Sequence, residues 1–576
     1  MKFSRLTLAI AATLGASTSF NALAIELYVD IKTKQIYAEP GRGRELMGSF
    51  EKVGEKTAPA AVTAPVATQA EVAAIKEDLA LKTNEIKALS EYAAEANSPD
   101  SAHISLKDGI HFATKDGNFS AGINGRLQVD SQINDQNLTT PNGGSFQSTG
   151  SVPACPGCDP VVNGIPAVYL PAGLDDGVAL RRARLGVEGT FFKKTDYKFE
   201  YDFTRGNGLN AGGITDAYIR YNFSNPFSVK VGAFKEPFSL EEATSNRYLT
   251  FIERNMAVNT FVDNLNTYKV GIGANYATDR WQIGSSLQTE GVGGYNAYGN
   301  NSLTASTGSA ISTNGGVNRN GGGGDTGWEV NTRLTGTPWF QSKNKFLHVG
   351  ASGSFININN NYSTAGNYSN GGVIFANGLG GNVDRSSILN TGNLTSSGAQ
   401  GNPNARVADN LTRFGAESAL VYNKFSAQGE YIQTNVTGKG YNNASLDGYY
   451  GYVTYFLTND SRNYKAKTAA WDRIKPTRNF DMNGGWGAWE LAAGYDHMNL
   501  NSGGVLGGSA STVKGGINWF PHSHLRVSAN YIHALDINTA TQMTYAQGGS
   551  KSGTTQGQAF NGAQLDMFET RMQVDW

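Results

Sequence analysis

The sequence predicts an all-β protein: a 16-stranded antiparallel transmembrane β-barrel with a short N-terminal α-helical coiled-coil segment. Three observations carry this reading. From Phe568 to Trp576 the chain alternates, with Phe568, Thr570, Met572, Val574 and Trp576 on one face and Met567, Glu569, Arg571, Gln573 and Asp575 on the other. Such period-2 patterning sets one row of side chains against an apolar medium and the other against a polar one. The final strand ends on an aromatic ring, as the closing strand of a bacterial outer-membrane barrel does. Finally, the connections between strands from Phe119 onward are short and long in turn, the asymmetry expected of the two rims of such a barrel.

Composition narrows the classes. Gly (71), Phe (27), Tyr (26) and Trp (8) are abundant in the 576 residues, Pro is scarce (16), and the formal net charge is −1. A mean hydropathy of −0.36 does not oppose a membrane barrel, because lipid-facing and lumen-facing residues average out. Beyond the N-terminal segment there is no apolar run of the roughly 18 residues that a spanning helix needs. The near-equal 47 basic and 48 acidic residues give no support for a nucleic-acid partner.

Residues 1–24 read as a secretory signal: Lys2 and Arg5 precede an apolar core, Leu6 to Gly15, and Ala22-Leu-Ala24 supplies the small-residue cleavage site. Residues 25–70 form a periplasmic region and linker, with strands expected at Ile25 to Ile31 and Gln35 to Ala38 before an Ala/Thr/Pro run. Residues 71–98 carry Val72, Ile75, Leu79, Lys82, Ile86, Leu89 and Ala93 at alternating spacings of three and four, the seam of a coiled coil interrupted by Lys82. So short a seam is marginal alone, which favours self-association; a single amphipathic helix lying on another surface is the competing reading. Residues 119–576 are the barrel.

Within the barrel the alternation is repeated. Tyr197, Phe199, Tyr201 and Phe203 oppose Lys198, Glu200, Asp202 and Thr204; Ala217, Ile219, Tyr221 and Phe223 oppose Asp216, Tyr218, Arg220 and Asn222. Short turns such as Ser224-Asn-Pro226 and Pro521-His-Ser-His524 face long Gly/Asn/Ser-rich segments at 134–177, 291–326, 360–410 and 538–560. Sixteen strands enclose an aqueous channel rather than a packed core. The only cysteines, Cys155 and Cys158, stand in a Gly/Pro-rich stretch of an exported chain, where a local disulfide is the simplest reading. A redox or metal role lacks the surrounding βαβ pattern or further ligands. His522, His524, His497 and His533 belong to no nucleophile motif, so no catalysis, metal or cofactor is expected.

If the apolar faces meet lipid, the polar faces line the lumen. Arg126, Arg182, Arg184, Lys198, Arg220, Lys269, Arg280, Arg333, Arg413 and Arg526 then point inward, opposed by a similar set of acids including Asp130, Glu188, Glu200, Asp202, Asp216, Glu329 and Glu490. Arg126, the Arg181/Arg182/Arg184 group and Lys198 fall on three successive strands, close enough to form a basic ladder suited to passing anions. The alternative is that these arginines pair with Glu188, Glu200 and Asp202 and stiffen the wall. Arg181 breaks the alternation and is placed at a bulge or the rim. The segment from Lys235 to Leu265 is too long for a hairpin and is expected to fold into the lumen; Glu241 and Glu242 suit the start of a short helix within it.

Gly125-Arg-Leu-Gln128, Arg181-Arg-Ala-Arg184, Gly232-Ala-Phe-Lys-Glu-Pro-Phe-Ser-Leu-Glu241, Gly487-Ala-Trp-Glu-Leu491 and Gly516-Ile-Asn-Trp519 resemble the phosphate-selective porin family (porins O and P) over most of residues 105–576. The resemblance implies a sixteen-stranded homotrimer that passes anions, with Arg126, Arg181, Arg182, Lys198 and Asp216 at pore-lining positions; Lys235 is a further candidate for the lining. The chain departs from the phosphate-binding members at Glu242, where they carry a lysine. An acid there repels phosphate, so the resemblance implies the fold more firmly than the permeant ion. The expectation is therefore an outer-membrane porin in a bacterial envelope, its N-terminal segment in the periplasm, its surroundings lipid. Small anionic or neutral solutes cross it passively, with a mild anion preference and phosphate among the candidates. A barrel plugged by its own loops and tethering the envelope through its coiled coil is the rival reading.

Overall fold

The computed structural model describes residues 25–30, 36–37, 44–50, 69–96, 102–106, 109–138, 173–204, 213–263, 268–291, 310–313, 327–358, 361–362, 368–369, 371–395, 406–542, 544–545, 551–552 and 556–576. The expected signal segment and Cys155 and Cys158 lie outside these residues. The chain divides into two compact units, Met1–Tyr92 and Ala93–Trp576. In the first, Ile25–Asp30 pairs antiparallel with Ile36–Tyr37 and with Arg44–Phe50. The third of these strands was not read from the sequence. A helix, Gln69–Ala96, carries Lys82 within 3.1 Å of Glu85. Leu79, Ile86 and Leu89 of the expected seam are 65%, 66% and 63% exposed, uncovered by the described strands of their own unit.

The second unit is a closed wall of sixteen antiparallel strands. They are β1 (Phe119–Asn137), β2 (Gly177–Phe191), β3 (Thr195–Asp202), β4 (Gly213–Asn222), β5 (Phe227–Phe234), β6 (Lys269–Ala277), β7 (Trp281–Gly291) and β8 (Trp328–Ser342), followed by β9 (Lys345–Asn357), β10 (Val407–Tyr422), β11 (Phe425–Lys439), β12 (Tyr441–Phe456), β13 (Ala488–Ser502), β14 (Val505–His522), β15 (Leu525–Asn538) and β16 (Gln564–Asp575). Each strand pairs with the next, and β16 closes on β1 in a register running from Gln564↔Asn137 to Asp575↔Arg126. Trp576 exchanges backbone hydrogen bonds of 3.1 Å with Gly125, and a Cβ at Gly125 would overlap the Trp576 ring. Only glycine lets the last ring lie flat on the first strand at the seam. A hairpin, Ala102–Ser105 with Ile110–Thr114, extends the sheet at the start of β1, where the sequence suggested only a connection.

Over most of the wall the polarity is as the alternation requires. Leu127, Phe199, Ile219, Val231, Ile272, Leu334, Val453, Leu491 and Met572 are exposed on the outside, whereas inward Gln128, Glu200, Asn331, Thr434, Asn518 and Gln573 are buried. The single orientation assumed from the sequence does not hold to the strand ends, however. Tyr431, Tyr449, Tyr495 and Tyr531 mark a level on β11, β12, β13 and β15 above which the faces exchange character. Beyond it Gln433, Asp447, His497 and His533 point outward, while Val436, Leu446, Met498, Ile532 and Met567 point inward and are at most 2% exposed. The cause is length. About 9–11 tilted residues cross the hydrocarbon, whereas β11–β14 have 15, 16, 15 and 18. Above an aromatic girdle the outer face meets water, and the inner face turns apolar because it meets packed loops.

Those loops fill much of the lumen. The segment 235–263 enters between β5 and β6, carrying Phe238, Phe251, Met256, Val258 and Phe261 into the interior. Residues 371–395, between β9 and β10, bring Phe375, Leu379, Ile388 and Leu389 against the same cluster. Each fully buried side chain of this kind contributes about 1.5–3 kcal/mol relative to exposure. The expectation of an interior occupied mainly by water is thus corrected. A second correction concerns the short-turn rim. One connection there, 457–487, is long and inserts Trp471 beside Leu240, Phe346, Ala419 and Val421. Its indole nitrogen donates to Gln428 at 2.5 Å, and the Arg462 guanidinium lies 3.7 Å from the ring centre.

The inversion of faces gives a paired prediction. Leu446→Asp, inward above the tyrosine level, is expected to cost about 3 kcal/mol or more, whereas Asp447→Leu next to it should cost less than about 1 kcal/mol. The temperature at which each variant loses its folded mobility on a semi-native gel measures both. The opposite ranking would refute the inversion.

Candidate pore constriction

The residues singled out in the sequence converge on β1–β5 and on the inward segment 235–263. Arg126 and Arg184 are directly opposed on β1 and β2, as are Gln128 and Arg182. The register shifts immediately beyond, between Gln128 and Val129, which leaves Arg181 as the extra residue of a bulge. Two guanidinium groups of one short stretch are thereby directed toward the same carboxylate. Arg181 grips Glu253 with two bonds, of 2.9 and 3.1 Å, and Arg182 reaches it at 3.1 Å.

The arginines do not form a free ladder. Arg126 pairs with Glu200 at 2.7 Å and bonds the Asn246 side chain of the inward segment. Arg184 pairs with Asp202 at 2.7 Å and Glu200 at 3.0 Å, and donates to the Tyr268 hydroxyl at 3.0 Å. Arg126, Arg182 and Arg184 are all buried. Arg333 lies elsewhere, on β8, held by Glu417 at 2.6 Å and by the Ala469 carbonyl of the 457–487 insertion at 2.8 Å. Ion pairing accounts for all four positions, because a buried charge is costly without a counter-charge.

What remains partly open lies along β2–β5. Lys198 and Asp216, 3.0 Å apart, have side chains 20% and 18% exposed. Lys235, at the root of the inward segment, is 22% exposed and pairs at 2.6 Å with Glu242, which is 2% exposed. Ser239 caps a helical turn, Leu240–Ala243, by accepting from the Glu242 backbone N–H. The turn presents the Glu242 carboxylate to Lys235 on one side and to Arg254, 3.0 Å away, on the other. Burial pushes the Glu242 carboxyl up to about 7, while the Arg254 and Lys235 charges pull it down. Asp263 is also penalised by burial, yet Arg254 and Lys235 hold it well below the usual carboxylate range.

Lys230 escaped the sequence reading, and Arg247 and Glu253 were read only as part of the inward segment, without partners. Lys230 sits 4.1 Å from the Phe234 ring centre and 5.5 Å from that of Tyr218. Its place between outward Val229 and Val231 is the signal that would have found it. Arg247 lies 3.6 Å from Glu200. Glu253, the acceptor for Arg181, Arg182 and Arg571, is carried by the inward segment, and no periodicity in the sequence assigns it a partner.

Paired charges thus line an opening between the wall and the inward segment. A family model described as phosphate-selective porin O and P matches residues 167–561. Porin O of Pseudomonas aeruginosa is 28% identical over 371 residues, covering 62% of this chain and 77% of that protein. An uncharacterised protein of Caulobacter vibrioides is 26% identical over 373 residues; the match spans 64% of this chain and 65% of that protein's length. Among solved structures, the trimer form of OmpT of Vibrio cholerae aligns with a TM-score of 0.40 at 10% identity, covering 80% of this chain and 99% of that one. The chain belongs to the phosphate-selective porin O and P family and is an outer-membrane β-barrel channel for passive diffusion in a bacterial envelope.

Proposed function

We propose that this channel favours anions mildly, with small inorganic anions, phosphate included, and carboxylates among its solutes, and that it works as a homotrimer. The exposure of the paired charges carries the reading. In two of the pairs at the opening the cation is the more accessible partner: Lys235 at 22% against Glu242 at 2%, and Arg181 at 20% against Glu253 at 6%. Positive charge faces the solute while its counter-charge sits behind, a disposition that favours anion passage. Lys198 and Asp216 are balanced, which keeps the preference mild. The Glu242 carboxylate weakens the hold on a multiply charged anion such as phosphate. The trimer follows from strand length. β3 and β5 have 8 residues each, short of the roughly 9–11 that cross the hydrocarbon, so this part of the wall calls for the cover of neighbouring copies.

Reversal potentials under a KCl gradient across a planar bilayer test the selectivity. Lys198→Glu combined with Lys235→Glu is expected to lower the anion-to-cation permeability ratio by roughly threefold or more. An unchanged ratio would contradict the proposed lining.

The same recording has a pH arm. As pH falls from 8 to 6, Glu242 gains a proton near about 7, and one negative charge leaves a site faced by Lys235, Arg254 and Asp263. The anion preference should therefore rise as pH falls. Glu242→Gln should hold the higher preference at both values; a falling preference, or an unaltered pH response in that variant, opposes the assignment.

A further inference from the structure

The 457–487 insertion straddles the short-turn rim of the wall. Its first half turns inward, where Trp471 packs and Arg473 reaches Asp575 of β16 at 2.6 Å. Its second half turns outward, over β13 and β14. The Phe480 N–H donates to the Pro521 carbonyl at 2.8 Å, and the Phe480 ring meets Trp519 edge-on at 5.4 Å. Trp519 stacks on Trp489 with ring centres 5.4 Å apart, and the two are paired in register between β14 and β13. Both belong to the outward rows that carry exposed Ile517 and Leu491. Their two indole N–H groups donate to one acceptor, the Trp486 carbonyl, at 3.0 and 2.9 Å. The outer half of the insertion is thus fastened to the outside of the barrel.

What it presents there is apolar. Asp481 builds a tight turn: its Oδ1 accepts from the N–H groups of Asn483 and Gly485, each at 2.8 Å, and its Oδ2 accepts from Arg478 at 3.0 Å. The turn holds Met482 at its tip, 86% exposed, with a left-handed φ of 56° that residues with a side chain rarely adopt. Trp486 is 70% exposed, and its indole N–H has no acceptor among the described residues.

Two observations say what lies against this tip. It continues the outer rows of β13 and β14, which a membrane barrel turns to hydrocarbon just inside an aromatic girdle. Its chemistry is that of the membrane–water interface: an indole with an open donor, an apolar thioether, and an exposed Arg478 whose head can reach phosphates. It also stands on the far side of the closed wall from β3–β5, where neighbouring copies are placed above, so lipid rather than a second copy borders it.

We propose that residues 478–487 are a membrane anchor that dips into the periplasmic leaflet. Met482 and Trp486 enter the upper acyl region, and Arg478 sits among the phospholipid phosphates. Because the same insertion carries Trp471 inside the wall, the anchor ties the lining of the short-turn mouth to the bilayer. It stands whether or not the channel prefers anions.

Fluorescence quenching of the full chain in phospholipid nanodiscs tests this. With Cys155 and Cys158 replaced by serine, Met482→Cys is labelled with bimane. Lys467→Cys, exposed on the inward half of the insertion, is the reference for water, and Leu491→Cys, on the outer face of β13, is the reference for hydrocarbon. Phospholipid carrying a nitroxide near its carbonyls is expected to quench the label at Met482→Cys about twofold or more over that at Lys467→Cys, and dissolved iodide about twofold or more under it. Iodide quenching equal to that at Lys467→Cys, without quenching by the lipid, would mean a solvated turn. Disulfide formation between chains at Met482→Cys, again without lipid quenching, would mean that a second copy sits there. Either result would overturn the anchor.

Discussion

The need of buried charges for counter-charges shapes the meeting of wall and inward segment in this molecule. A barrel wall whose inward face is polar carries guanidinium and ammonium groups into a space that folded segments then occupy. Left alone, such a group destabilises the fold by about 3–5 kcal/mol. The inward segment answers with carboxylates. Its Glu253 takes Arg181, Arg182 and Arg571, and its Glu236 takes Lys269 at 2.6 Å and Arg413 at 2.8 Å. The exchange is mutual, because wall carboxylates hold the segment's backbone. Glu430 accepts from the N–H groups of Leu240 and Glu241 at 3.1 and 2.8 Å, and Asp496 accepts from that of Met256 at 2.8 Å. Wall and segment are therefore complementary halves of one network.

This reciprocity decides where solute passes. On the β8–β16 side ion pairs such as Arg333–Glu417, Lys514–Asp496 and Arg571–Asp130 are buried, and aromatic and aliphatic side chains fill much of the space between. On the β2–β5 side, where β3, β4 and β5 have 8, 10 and 8 residues, Lys198, Lys235 and Arg181 keep part of their surface open. A wide sixteen-stranded wall thus surrounds a narrow, one-sided opening.

The barrel was legible from the sequence because period-2 alternation is local: each of β1, β3, β4 and β16 states its own faces. Arg181 was legible as an irregularity for the same reason, since two inward residues cannot be adjacent without a bulge. The partners of those residues were not legible. Glu253 lies about seventy positions from Arg181 and Arg182 (|i−j| of 72 and 71), in a segment without periodicity. The 457–487 insertion was hidden because the turns around it are short, and nothing in its composition states which rim it occupies. The exchange of faces above Tyr449 and Tyr531 was misread for a different reason: alternation reports that two faces differ, and only the position of the hydrocarbon says which of them is wet.

Access to single cysteines from the channel tests this account most directly. With Cys155 and Cys158 replaced by serine, a charged thiol reagent is added to bilayers containing Lys198→Cys, Lys235→Cys or Thr434→Cys; Thr434 is inward on β11 and fully buried. Rapid loss of current at Lys198→Cys and Lys235→Cys, with none at Thr434→Cys, is the predicted result. Equal block at all three would mean that water reaches the whole inner wall, and the filled, one-sided lumen would be wrong.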